Sequence, residues 1–182
     1  MGLDQLELTL RIEETFSIEI PDEVAPGLLT PRQVTDYILT QVGESPSPLV
    51  CLTQKAFHLL RQRFTQHLQM PRSQFKPDTR LKEIVPEADR DQIWKEIGSS
   101  LGVRRWPSIS RPMWLAFIPV TVRDVRSLIE YLVTNHPLVV KGEEIEWTRA
   151  QVWEVLKRVI IDELQVKDFS EDSRFVQDMG LN

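Results

Sequence analysis

The chain has 182 residues, of which 41% are hydrophobic and 27% charged, a balance typical of folded globular proteins. Its net charge of −5 is uneven: residues 1–42 hold eight acids and two bases, residues 51–135 fourteen bases and eight acids, and residues 136–182 six bases and ten acids. Such asymmetry favours separate modules. The apolar run Met113 to Val120 is too short to span a membrane. The single cysteine, Cys51, excludes an internal disulfide, and no leader peptide is recognisable. We therefore expect a cytoplasmic protein.

Two helices are predicted in the N-terminal segment. Asp4 and Glu7 form a capping-box pattern, and Thr30 with Gln33 forms a second one. Each pattern is followed by apolar residues at helical spacing, Leu8, Ile12 and Phe16 in the first helix and Val34, Ile38 and Val42 in the second. The proline-rich stretch that comes next predicts a linker over residues 43–52.

The rest of the chain shows three further helix starts at threonines, namely Thr53, Thr121 and Thr148. Another helix is predicted over residues 88–101, and a second linker over 136–146. Apolar stripes follow each threonine: Phe57, Leu60, Phe64 and Leu68; Val125, Leu128, Ile129 and Leu132; Val152, Val155, Val159, Ile160 and Leu164. Since no segment alternates with the period of a strand, we predict an all-α protein.

Several segments repeat one another. The stretch from Val152 to Phe175 matches the stretch from Ala56 to Leu81, because both contain a helix that ends at Leu-Gln and a loop that ends in Asp-Ser/Thr-Arg-apolar. LLTPRQVTDYI also matches PVTVRDVRSLI, and the Phe16 region matches the Leu101 region. The middle segment therefore reads as one complete copy of a unit, and the two ends of the chain as its two halves in inverted order.

The inverted halves resemble the acyl carrier proteins. EDSRFVQDMGLN is similar to the family's loop before its modified serine, and LDQLELTLRIEETFSIEIPDE to the segment after it. The resemblance implies two small carrier-like helical bundles. One joins residues 147–182 to residues 1–42, and the other, a degenerate copy, covers residues 53–135.

In this family a serine oxygen carries 4′-phosphopantetheine. An ungapped count puts the serine position on Gly2, because Leu6, Leu8, Ile12 and Phe16 then fall on family core positions; a direct match of the words MGLD puts it on Gln5. In the middle segment the position lies near Glu87, and Pro86 to Trp94 contains no serine. The resemblance thus implies a carrier fold without a cofactor. The alternative is a genuine carrier whose serine is lost or displaced at the chain termini.

Two arrangements would bring the end segments together. The chain could close on itself as a circular permutation, which the high effective concentration of tethered ends favours. Alternatively, the tail of one molecule could complete the head of the next, which would give a head-to-tail oligomer.

The resemblance assigns protein docking to the acidic face of the first helix, with Glu7, Glu13 and Glu14 as candidates; the alternative is an ordinary solvated face. Trp106 and Trp114, separated by prolines, either cap a small core or form an exposed patch that binds a partner or a membrane surface. The basic middle segment leaves nucleic-acid binding open as a further alternative, beside pairing with the acidic module and solvated charge.

Little in the sequence indicates catalysis. Cys51 lies in a linker, and His58, His67 and His136 have no evident partners for nucleophilic chemistry. Neither a glycine-rich phosphate loop nor a zinc-binding cysteine pattern is present. We therefore predict a non-catalytic, metal-free carrier-like module that binds proteins, with enzymes of acyl, polyketide or peptide assembly as expected partners.

Overall fold

The computed structural model describes residues 3–45, 51–109, 121–142 and 146–181. Within these ranges the prediction of an all-α protein is confirmed, since the only β-pairing consists of isolated bridges. The helices are α1 (Leu3–Phe16), α2 (Pro31–Val42), α3 (Leu52–Leu68), α4 (Leu81–Ile84), α5 (Arg90–Ser100), α6 (Val125–Asn135), α7 (Pro137–Lys141), α8 (Arg149–Leu164) and α9 (Phe175–Met179). Contacts divide the chain into two compact units: Met1–Leu49 with Lys141–Asn182, here the end unit, and Val50–Val140, here the middle unit.

The core of the end unit forms where α8 packs against both α1 and α2. Most of the residues predicted from the helical spacing are buried there: Leu8, Ile12 and Phe16; Val34 and Ile38; Val152, Val155, Val159 and Ile160. Leu156, which was not predicted, is also buried, whereas the predicted Val42 and Leu164 are only partly buried. Trp147 closes the core with its ring centroid 5.2 Å from that of Phe16. Because full burial of one such side chain is worth about 1.5–3 kcal/mol, this shared core holds the N-terminal and C-terminal segments together.

Specific bonds tie the C-terminal segment to the start of α2. The Arg32 amide donates to the Glu171 carbonyl at 2.8 Å, and the Phe175 amide donates to the Leu29 carbonyl at 3.1 Å. The Arg32 guanidinium also donates to both carboxylate oxygens of Asp172, at 2.5 and 2.8 Å. The hydrogen bond from Arg32 lowers the pKa of Asp172 below its usual value.

The middle unit is built around α3, which packs against α5 and α6. Leu52, Ala56, Leu60 and Phe64 of α3 are fully buried, as are Leu128 and Leu132 of α6. An aromatic cluster extends this core: the Phe64 centroid lies 5.1 Å from that of Phe75 and 6.1 Å from that of Trp94. The Trp94 indole N–H donates to the Pro107 carbonyl at 2.6 Å, which fixes the chain after α5.

The bonds at the start of α2 recur at the start of α6. The Arg126 amide donates to the Pro77 carbonyl at 2.8 Å, the Leu81 amide donates to the Arg123 carbonyl at 3.0 Å, and the Arg126 guanidinium pairs with Asp78 at 2.8 Å.

The helix ends in the two units also correspond to one another. Both α3 and α8 stop at a glutamine in the left-handed conformation, with φ of 50° at Gln69 and 54° at Gln165. The chain turns with positive φ after α1 at Ser17 and after α5 at Gly102.

Capping boxes form at Thr30 and Thr148 as predicted, with Gln33 and Gln151 as their partners. The three other predicted starts are wrong. Asp4 lies inside the first turn of α1, and α3 begins at Leu52, ahead of Thr53. The cap of α6 is Asp124 instead of Thr121, because the Asp124 carboxylate accepts from the Ser127 amide at 2.8 Å.

The predicted linkers also contain helical residues. The segment 136–146 includes α7, and Leu52, at the end of the segment 43–52, is fully buried in the middle unit.

Candidate functional site

Helix α1 presents two different apolar faces. Leu8, Ile12 and Phe16 point into the end unit, whereas Leu3, Leu6 and Leu10 remain 78%, 43% and 54% exposed. Because residues three and four positions apart share one helix face, the three exposed leucines form a continuous outer row, which we call the α1 stripe. The count that placed Leu6 on a core position is therefore wrong for this residue.

Two of the acidic candidates lie on the surface of α1. Glu7 is exposed, and Glu14, with 60% of its side chain exposed, pairs with Arg11 at 3.5 Å. Glu13 is used differently, since its carboxylate accepts the backbone N–H of Ile20 at 2.6 Å. Glu13 thus holds the loop after α1, and Glu7 and Glu14 are the acids that accompany the α1 stripe at the surface.

A cavity of about 130 Å³ lies in the end unit, where α1, the loop after it and α9 meet. Most of its lining is apolar, including Leu8, Ile12, Ala25, Val34, Phe175 and Leu181. Gln5, Thr9 and Arg174 are among its polar lining residues. The cavity depends on both ends of the chain, because α1 and α9 each supply part of its wall.

The residues at the expected serine positions do not fit a phosphopantetheine group. Gln5 is half-buried in the first turn of α1, and its amide cannot form the phosphate ester that a serine hydroxyl forms. The nearby Thr9 hydroxyl donates to the Gln5 carbonyl at 2.9 Å. Glu87 is exposed in the turn before α5, and Gly2 lies outside the described residues.

Trp106 packs within the middle unit. Its ring centroid lies 5.0 Å from that of Trp94, and a Cβ added at Gly98 would come within 2.5 Å of its Cγ. The side chain is half-buried. Trp114, the other tryptophan proposed for partner binding, lies outside the described residues.

Cys51 and His136, both considered for nucleophilic chemistry, occupy different parts of the middle unit. Cys51 is exposed at the start of α3, and His136 ends α6 with Nε2 at 3.1 Å from the Arg105 carbonyl, which also accepts from the Tyr131 hydroxyl. In the described part of the chain, no group of three or more histidine, cysteine or acidic side chains is placed to hold a metal ion. The helices described there are also too short or too polar to cross a membrane.

Comparisons with known proteins identify a carrier-like region. The chain is 49% identical over 38 residues to an acyl carrier protein of Cyanidioschyzon merolae, which is 21% of this chain and 42% of that protein. It is 48% identical over 46 residues to the mitochondrial acyl carrier protein 3 of Arabidopsis thaliana, which is 25% of this chain and 35% of the relative. It is 45% identical over 42 residues to an acyl carrier protein of Thermosynechococcus vestitus, covering 23% of this chain and 52% of the relative.

These matches span between about a third and a half of the relatives' own length. No family model and no solved structure matches the chain. Part of this all-α protein is therefore similar to acyl carrier proteins.

The α1 stripe was missed by sequence reasoning. The signal was present, because leucines at positions 3, 6 and 10 follow a helical period of their own, offset from that of Leu8 and Ile12. A second apolar row on the outer face of a 14-residue helix is a candidate contact surface.

Proposed function

We propose that this protein is a non-catalytic, acyl-carrier-like module that lacks the phosphopantetheine serine and acts by binding proteins. The observation that carries the proposal is the α1 stripe with Glu7 and Glu14 beside it. Neither residue at the expected serine positions, Gly2 or Gln5, has a hydroxyl group. A matching partner surface would combine apolar residues with lysine or arginine. Enzymes that assemble acyl, polyketide or peptide chains are the proposed partners.

We also propose that the two units are repeats of one carrier-like design, with the end unit in permuted order and the middle unit degenerate. The bonds from Arg32 and Arg126 support this, because each arginine follows a helix start and contacts the loop before a short helix in the same way. The left-handed glutamines Gln69 and Gln165 give independent support, since both follow a Leu-Gln helix end.

The absence of carrier chemistry is tested by intact mass after incubation with coenzyme A and a broad-specificity phosphopantetheinyl transferase. We expect no mass gain for the wild type, while a genuine acyl carrier protein in the same reaction gains one group. The variants Gly2→Ser and Gln5→Ser show whether a hydroxyl at either position is sufficient. Addition of one phosphopantetheine to the wild type would make the protein a working carrier and overturn the proposal.

The docking role is tested by titrating the protein against a purified panel of acyl-, polyketide- and peptide-assembly enzymes. For any enzyme that binds, the double variant Leu6→Gln/Leu10→Gln should weaken binding at least tenfold, because it removes apolar area at the centre of the contact. Leu138→Gln is the matched control, since Leu138 is also an exposed leucine (39%) but lies on α7. Equal binding by the double variant and the wild type would contradict the proposed surface.

A further inference from the structure

A second cavity, of about 240 Å³, lies on the middle unit; it is open to the surface, and three of the four side chains that line it are exposed. His58, Arg61 and Gln62 of α3 line one side, and Arg72 of the 3-10 turn Arg72–Gln74 lines the other. The three α3 residues share one helix face because they stand at positions i, i+3 and i+4. Among the described residues, the lining contains two guanidinium groups and no carboxylate.

The Arg61 side chain is held in place by its neighbours. Its guanidinium carbon lies 5.0 Å from the centre of the Phe57 ring, and its Nη2 lies 2.9 Å from His58 Nδ1. A guanidinium can only donate, so His58 Nδ1 accepts this hydrogen bond and the ring proton is on Nε2. The remaining N–H groups of Arg61 and the Nε2–H of His58 are therefore donors for a further acceptor.

The backbone turn that carries Arg72 is anchored to the aromatic core, while the Arg72 side chain itself is exposed. The 3-10 turn leads into Phe75, which is buried and packs 5.7 Å from Phe57 and 5.1 Å from Phe64, measured between ring centroids. The Phe75 amide also donates to the Arg72 carbonyl at 3.3 Å. Phe57 thus supports both sides of the cavity, since it contacts Arg61 directly and the Arg72 turn through Phe75.

The charge of these two arginines is not neutralised locally. In the described part of the chain neither Arg61 nor Arg72 forms an ion pair with a carboxylate, whereas Arg126 pairs with Asp78 and Arg80 with Glu83. Guanidinium groups without carboxylate partners, together with neutral donors, suit an oxyanion, because bidentate Arg–phosphate hydrogen bonds are among the stronger ones in proteins.

We propose that this cavity binds a phosphate group, either inorganic phosphate or the phosphate of a small monoester. Arg61 and Arg72 would supply the positive charge from two sides, and His58 and Gln62 would supply neutral hydrogen bonds. The site belongs to the middle unit and uses none of the α1 residues, so it is independent of the docking function proposed for the end unit.

The test is a titration of the full chain with inorganic phosphate at constant ionic strength, followed by NMR of the His58 ring and the arginine side chains. We expect saturable shifts at His58 and Arg61 in the wild type. Arg72→Ala should weaken binding about tenfold or more, the effect of losing charge-assisted hydrogen bonds. Lys82→Ala, which removes one exposed positive charge of the same unit outside the cavity, should leave the affinity unchanged.

Three outcomes would overturn the proposal. The first is a linear, unsaturable response to phosphate, and the second is an equal loss of affinity in Arg72→Ala and Lys82→Ala, because spread charge would then account for binding. The third is binding of a short single-stranded oligonucleotide without binding of phosphate, which would make the basic surface a polyanion site. Because Arg72 is exposed, its variant should fold, and unchanged circular dichroism checks this.

Discussion

Gly98 lies in the interior of α5, where glycine is normally less favourable than alanine. Here a methyl group would come within 2.5 Å of Trp106 Cγ, so the indole ring would have to move. The residue is therefore explained by the close approach of Trp106 to the helix.

We expect Gly98→Ala to destabilise the protein by about 1–3 kcal/mol, the usual range for overpacking, despite the higher helix propensity of alanine. Chemical denaturation followed by tryptophan fluorescence measures the change. Gly27→Ala is the matched control, because a methyl group there meets nothing within 4 Å. A gain in stability for Gly98→Ala would show that the Trp106 contact is not as close as described.

Among the described residues, Glu163 of α8 is a carboxyl group whose surroundings disfavour its charged form. Burial raises its pKa, the nearby Arg11 partly offsets this, and the charges of Asp162 and Glu7 raise it further. Because the folded state then binds a proton more readily than the unfolded state, this group contributes stability at low pH. That contribution is lost as the pH rises through the raised folded-state pKa.

The prediction compares the wild type with Glu163→Gln. Relative to the variant, the wild type should become less stable as the pH rises from below the unfolded-state glutamate pKa of about 4.3 to neutrality. Urea denaturation at a series of pH values measures the difference. Asp168→Asn controls for the loss of one acidic charge in the same unit, and a difference that grows in the opposite direction would contradict the assigned burial.

At the scale of the helix, the capping boxes explain where α2, α6 and α8 begin. In α8 the Thr148 hydroxyl accepts the Gln151 amide at 3.2 Å, and the Gln151 side chain accepts the Thr148 amide at 3.1 Å. Both otherwise unpaired donors at the helix start are thereby satisfied.

Thr148→Ala should destabilise the end unit by about 1 kcal/mol, the typical cost of a lost N-cap. Thr148→Ser should recover most of that loss, because serine keeps the accepting oxygen. Thermal and urea unfolding, followed by circular dichroism, would give both values. If alanine and serine are equally destabilising, the methyl group of Thr148 matters more than its hydrogen bond.

At the scale of the molecule, the end unit depends on contacts between residues far apart in the chain. Arg32 and Asp172 are bonded within a single chain, and so are Arg149 and Asp36, at 2.5 Å. If the chain closes on itself through these contacts, the end unit is complete without a second copy.

For such a monomer, the midpoint of thermal unfolding should be independent of protein concentration. The midpoint of a domain-swapped oligomer would rise with concentration, because mass action stabilises the oligomer. Scanning calorimetry at several concentrations, with light scattering of the folded protein, provides the measurement. A midpoint that rises with concentration would favour the head-to-tail arrangement, in which the tail of one molecule completes the head of the next.

The predictions from the sequence were right where a structural feature depends on residues close together in the chain. The Thr30 and Thr148 caps use partners three residues away, and the buried faces of α2 and α8 follow from the helical period. The predictions failed at Thr121, because an aspartate three residues later makes the better cap, and at Leu6, because periodicity cannot show which of two apolar faces finds a partner.

The sequence by itself determined the all-α class and most helix positions, because caps and apolar spacing depend on residues close together in the chain. The resemblance of part of the chain to acyl carrier proteins came from the motifs EDSRFVQDMGLN and LDQLELTLRIEETFSIEIPDE. Only the tertiary structure decided that Glu13 holds the Ile20 amide, that Trp106 covers Gly98, and that Arg61 and Arg72 line one cavity. These pairs are 7 to 11 residues apart in the chain. Loops and turns bring them together, and the path of a loop is set by the core on which it packs.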